Sequence, residues 1–139
     1  QMMRIAAEFD NFRKRSAREL EDASNFAITK FARDMIEVLE NLHRAEASIN
    51  TERLDSDPVL KQIFSGVELT KKSLVDAFEK YGIKRIDPTG EQFNHDFHQA
   101  ITQIPSKTHK EGEVVQVIQA GYILKDRLLR PALVAVAKN

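Results

Sequence analysis

The chain has 139 residues with 21 basic and 21 acidic side chains, so no net field draws it to nucleic acid or an anionic membrane, and binding to either would need a local patch. The absence of cysteine excludes disulfides and thiolate metal sites and fits a reducing compartment. No apolar run approaches the roughly 20 residues that span a bilayer and no secretory leader pattern is present, which points to cytosol or an organelle matrix.

From Gln1 to about Ala47 there is no Pro and no Gly, and the spacing predicts one long helix. Met2, Ile5, Phe9, Phe12, Ser16, Leu20, Ala23, Ala27, Phe31, Met35, Val38 and Leu42 form a single seam with one polar member. The mean step of roughly 3.6 residues exceeds a strict heptad, so paired helices with little supercoil are expected. A helix of that length is a rod of about 60 Å, longer than a domain built from the rest of the chain. A second copy is the natural cover for the seam, in a parallel or antiparallel dimer that spacing alone does not decide. The chain starts inside the apolar pattern without a capping residue, so a natural N-terminus upstream of Gln1 is expected. Arg13, Lys14, Arg15 and Arg18 stand beside Glu19, Glu21 and Asp22, most simply a solvated face with intrahelical pairs rather than a docking strip or a DNA-reading region.

Asn50 to Pro58 reads as a connection, with Asp57 as N-cap and Pro58 at the first helical position. A second helix over Val59 to Tyr81 carries Leu60, Ile63, Val67, Thr70, Leu74, Phe78 and Tyr81 on one stripe and stops at Gly82. Gly66 inside it costs about 1 kcal/mol against Ala. Close packing on a neighbouring backbone is the simpler reason for it, an approaching partner the other. Folded back on the rod, this helix makes a hairpin, and two hairpins would make a four-helix bundle.

After Gly82 the texture turns to β. Strands are expected at Ile83 to Ile86, Gln99 to Ile104, Glu113 to Tyr122 and Leu133 to Ala137. Asp87 to Gly90 reads as a turn, Pro105 to Gly112 as a polar loop, and Gly121 as a bulge or tight corner. The fold class is therefore α+β, divided as 1–49 dimerisation helix, 50–82 second helix completing a bundle across the dimer, and 83–139 a small all-β module.

Catalytic chemistry is not in view. His95 and His98 lie three apart without further ligands, so solvent-facing or hydrogen-bonded imidazoles are expected and no metal. There is no phosphate-cradling glycine loop, no nucleophile in a recognisable setting and no convergent carboxylate pair. The residues describe an interaction protein that is not an enzyme and carries no cofactor.

Two blocks then carry a resemblance. Phe93-Asn94-His95-Asp96-Phe97-His98-Gln99-Ala100-Ile101 and, after nineteen residues, Gly121-Tyr122-Ile123-Leu124-Lys125-Asp126-Arg127-Leu128-Leu129-Arg130-Pro131-Ala132-Leu133-Val134-Ala135-Val136 resemble the signature of the GrpE family, nucleotide exchange factors of DnaK-type heat-shock chaperones. Asn11 to Arg15 and Gly66 to Thr70 support it. The resemblance implies a homodimer with parallel long helices, a four-helix bundle, and a C-terminal β wing that opens the chaperone's nucleotide-binding domain so that ADP leaves. It implies chaperone-facing roles for Arg13 and Phe26 on the rod and Arg127 and Val136 in the wing, with Gly66 where bundle and wing meet the partner. Packing is the plainer role for Phe26, and wing core an equal alternative for Val136. The bacterial cytoplasm or the mitochondrial matrix would house it. A dimeric coiled-coil adaptor without exchange activity is the rival class.

The sequence departs from the family at Ile36-Glu37, where members often carry Leu-Pro, so no kink is expected there. The family is also linked to heat sensing through its long helices. Ser16, Ala23 and Ala27 bury little area per turn, so the rod is expected to melt before the wing. Helical ellipticity lost no earlier than wing unfolding would count against this.

Overall fold

A computed structural model describes residues 2–138. The chain divides into two units, Gln1–Ala32 and Arg33–Asn139.

In the first unit α1 (Met2–Phe26) has no buried residue. Met2, Ile5, Phe9, Phe12 and Leu20 of the seam are all exposed, Phe9 at 68% and Phe12 at 57%. The basic cluster is a solvated face, as its composition indicates. Its acid is Asp10, which pairs with Arg13 at 3.1 Å and Lys14 at 3.2 Å, while the Arg15 guanidinium lies over the Phe12 ring. Helix continues to Ala47 except at Ala27 and Ile28, after which α2 (Thr29–Ala47) begins. The hydroxyl of Thr29 donates to the Phe26 carbonyl at 2.7 Å and competes for an acceptor at the end of α1. Ile36 and Glu37 lie inside α2 without interruption.

The second unit opens with most of α2, whose fully buried Ile36 and Leu39 stand on a face offset from the seam. The seam periodicity concealed this second face. After a 3₁₀ turn at Thr51–Arg53 comes α3 (Pro58–Lys80), with the Asp57 carboxylate accepting the Leu60 amide at 3.1 Å. Gly82, at φ +83°, ends the helical geometry. Lys71 pairs with Glu46 at 2.6 Å and ties α3 to α2. Along the α3 stripe only Phe78 is buried, and Ile63 and Tyr81 are exposed. Close packing does not account for Gly66. Among the described residues nothing lies within 4 Å of where its Cβ would stand, so no backbone of the same chain explains the glycine.

The β module is two three-stranded sheets. The first has the order β1 (Ile83–Ile86), β4 (Gly121–Leu124), β5 (Arg127–Arg130); the second has β2 (His98–Pro105), β6 (Ala132–Lys138), β3 (Val114–Gln119). In the second sheet β6 is central, parallel to β2 and antiparallel to β3. Its alternating residues are core: Ala132, Val134 and Val136 pack with Val114, Phe93 and Val117.

Two expectations need correction. Glu113 to Tyr122 is not one strand; it passes from one sheet to the other at Ala120 and Gly121. A Cβ on Gly121 would lie 2.6 Å from the Ala132 nitrogen and 3.1 Å from the Arg130 carbonyl oxygen, so β4 leaves its crossing point pressed against the place where β5 becomes β6. Only a glycine lets these two crossovers touch, and Pro131 between them brings no N–H to satisfy. The other correction is β5, a strand that the sequence pattern does not announce. Lys125 takes φ +55° in the two-residue turn between Leu124 and Arg127, where glycine, asparagine or aspartate is the usual signal.

Candidate partner-binding surface

The five residues singled out by resemblance are divided between the two units. Arg13 and Phe26 belong to the first unit, Gly66, Arg127 and Val136 to the second. Arg13 is exposed on α1 beside Asp10, and Phe26 is half-buried as the last residue of α1. Gly66 is open on α3, its carbonyl accepting the Thr70 hydroxyl at 2.8 Å. Arg127 is exposed at the start of β5, an edge strand of the first sheet. Val136, 8% exposed, sits in the core of the second sheet, so any effect on a partner would pass through the shape of that sheet.

The Lys125-Asp126 turn that presents Arg127 is anchored. The Lys125 amide donates to the Gly82 carbonyl at 2.7 Å, and the Lys125 stem occupies the space a Cβ on Gly82 would need. The end of α3 and the turn before Arg127 therefore hold each other.

Behind this edge lies a polar cluster, two of whose members, Tyr122 and Arg130, belong to the second resemblance block, although no local spacing joins them to the others. Arg85, Tyr122 and Arg130 are register neighbours across β1, β4 and β5. Glu37 and Glu40 of α2 meet that row. Arg85 donates to Glu40 through Nε at 2.9 Å and Nη2 at 3.5 Å, and the Tyr122 hydroxyl donates to the same carboxylate. Arg130 donates through Nη1 to Glu37 at 3.0 Å and through Nε to the Ala120 carbonyl at 3.0 Å, with its guanidinium over the Tyr122 ring. On the apolar side Phe78 meets Tyr122 edge-on, and Leu39 shares a cleft with Val75, Phe78 and Ile83.

Burial pushes the Glu40 carboxyl up, but the hydrogen bonds from Arg85 and Tyr122 more than offset it and hold the group below its ordinary value. Burial and the bond to Glu40 push the Tyr122 hydroxyl well above its own. Glu40 thus stays charged and Tyr122 stays a donor at neutral pH. These partners are 45 to 93 residues apart in sequence, a separation no local spacing rule reports.

His95 and His98 occupy the two kinds of setting expected for this pair, one solvent-facing and one hydrogen-bonded. His95 is solvated beside Asp96, whereas His98 is 8% exposed, tilted against Phe93, with Nδ1 accepting the Asn94 amide at 3.0 Å. Burial lowers the His98 pKa below 6.5, only partly countered by Glu91. The unfolded chain takes up a proton that folded His98 resists. Its contribution is complete above about pH 6.5 and is lost as pH falls through the folded value. The melting midpoint of the β module should fall between about pH 7 and pH 5.5, and His98→Asn should make that slope shallower. His43, also lowered by burial, leaves a residual slope. An equal slope in parent and variant would remove His98 as the source. Among the described residues no group of three or more His, Asp or Glu is placed to hold a metal, and no helix is long and apolar enough to cross a membrane.

The sequence profile of the GrpE family matches residues 1–138. The chain belongs to the GrpE family. It is 46% identical over 139 residues to Protein GrpE of Brucella melitensis biotype 1, covering all of this chain and 62% of that protein. Protein GrpE of Rhodopseudomonas palustris strain BisA53 is 47% identical, with 99% of this chain and 67% of the relative covered. Protein GrpE of Nitrobacter winogradskyi is 49% identical over 138 residues, with 99% and 70% covered. The chain thus spans about three-fifths of the length of the Brucella relatives. α1 and α2 supply a long N-terminal helical part and the two sheets a small C-terminal β part. The segment from Gly121 to Val136 builds β4, β5 and most of β6.

Proposed function

We propose that this chain is a co-chaperone of the stress response that accelerates ADP release from a DnaK-type chaperone ATPase, by binding the nucleotide-binding domain and favouring its open form. No bond is made or broken. A factor that binds the open, empty state more tightly than the ADP-bound state weakens ADP binding by the same factor. The working form is a homodimer, its long helices parallel and paired through the seam, with α2 and α3 of each chain completing a four-helix bundle. The bacterial cytoplasm is the proposed setting, since the relatives are bacterial.

The observation that carries this reading is the seam. Phe9, Phe12 and Leu20 lie in water on a helix that buries nothing of its own, and open Gly66 leaves room on α3 for a second backbone. In the wing Arg127 is the proposed principal contact, an edge guanidinium able to pair with partner carboxylates. Arg13, Phe26 and Gly66 contribute along the helices, and Val136 acts as core support for the wing.

The test is release of a fluorescent ADP analogue from a DnaK-type ATPase with and without this protein. Acceleration that saturates with protein concentration is expected. An unchanged rate would leave a dimeric adaptor as the reading. Arg127→Ala should slow the accelerated release about tenfold, the cost of one lost interface guanidinium pair. Release as fast as with the parent would remove Arg127 from the contact.

A further inference from the structure

We propose that the Arg85, Tyr122 and Arg130 row, joined to Glu37 and Glu40, is a positioning device that fixes the angle of the wing on α2 and so sets how far a partner's nucleotide-binding domain is opened. This rests on the exchange reading. Apolar burial of Ile36 and Leu39 holds α2 against its neighbours but is non-directional, and a helix seated by it alone can swivel. Directional bonds remove that freedom.

Here the bonds span the whole sheet. One carboxylate takes donors from β1 and β4, and a second, one helical turn away, takes a donor from β5. Partly exposed ion pairs such as these contribute little net stability, and Phe would fill the space of the fully buried Tyr122 without needing an acceptor. What the charged and hydroxyl groups add is a single orientation. The row also reaches the proposed contact, since Arg130 and Arg127 share the four residues of β5. A load on Arg127 passes along that strand to Glu37 on the helix.

The chain has no cysteine, so introduced cysteines can be labelled site-specifically. Spin labels at Ala47→Cys on α2 and Thr102→Cys on β2, in labelled chains diluted with unlabelled ones, report the wing angle within one chain. Glu40→Gln combined with Tyr122→Phe preserves volume and loosens the joint. The inter-label distance distribution should widen. The concentration giving half-maximal ADP release should stay within about twofold, while the rate at saturation falls about threefold or more.

An unchanged distance distribution overturns the proposal. So does a widened distribution with an unchanged saturating rate. If the second variant, Arg85→Met, weakens binding and lowers stability without widening the distribution, the row is structural only and the proposal fails. If the parent protein releases no ADP, the exchange reading falls, and the label distances alone still judge the joint.

Discussion

Replacing Phe9 and Phe12 together by Asp is expected to separate the proposed dimer into single chains at micromolar concentration. Both rings stand on a helix with no buried residue of its own and are more than half exposed in the single chain, so their cover must come from outside it. Two copies would lose four rings. Even at the lower bound of about 1.5 kcal/mol for burying each, association weakens by about four orders of magnitude. The new carboxylates, facing each other across the seam, add repulsion. Helicity should fall as well, because a 25-residue helix without a packed face draws its stability mainly from the partner. The matched control is Arg4→Ala with Glu8→Ala, an exposed pair worth little. If the control and the aspartate variant sediment alike, the seam is not the interface.

The second large effect is in the wing. Gly121→Val is expected to destabilise the β module by about 3 kcal/mol, the upper part of the range for overpacked positions. Its side chain would meet the Ala132 backbone nitrogen, which cannot swing aside as a lysine tail could. For a module of this size that corresponds to a midpoint lowered by on the order of 15 °C. The buried Tyr122 ring provides the near-ultraviolet signal, and α1 helicity should be untouched by the same change. Gly66→Ala is the informative contrast. Open space in the single chain predicts a gain of up to about 1 kcal/mol in helix stability, whereas a second backbone packed on Gly66 would turn the sign. A Gly121→Val wing as stable as the parent would mean that the crossovers separate without cost.

Much of this architecture could be read from short-range pattern because short-range physics decides it. The Asp57-Pro58 start and Gly82 stop of α3 are capping chemistry, local to a few residues. The seam is a periodicity that a single chain leaves exposed, so it survives unblurred by tertiary contacts. Two features escaped for physical reasons. The passage from β3 to β4 looks like one continuous strand because both halves are Val- and Ile-rich, and only the backbone proximity at Gly121 reveals the crossing. The β5 hairpin hides behind Lys125, whose unusual backbone is held by its bond to Gly82 rather than favoured by its own side chain.

Of the candidate site, the residues found by resemblance are recognisable in sequence and divided between the two units. The Glu40 cluster is the reverse case. Its members are four charged residues and a tyrosine that no local spacing rule connects, and they come together only when three strands place Arg85, Tyr122 and Arg130 in one row.

Sedimentation equilibrium on the unaltered chain, with helicity followed over the same concentrations, reaches the central claim most directly. A species near twice 15.9 kDa throughout the micromolar range, losing helicity only as it dissociates, is the predicted result. A stable, fully helical species of 15.9 kDa would contradict it, because the exposed seam would then need no second copy to cover it.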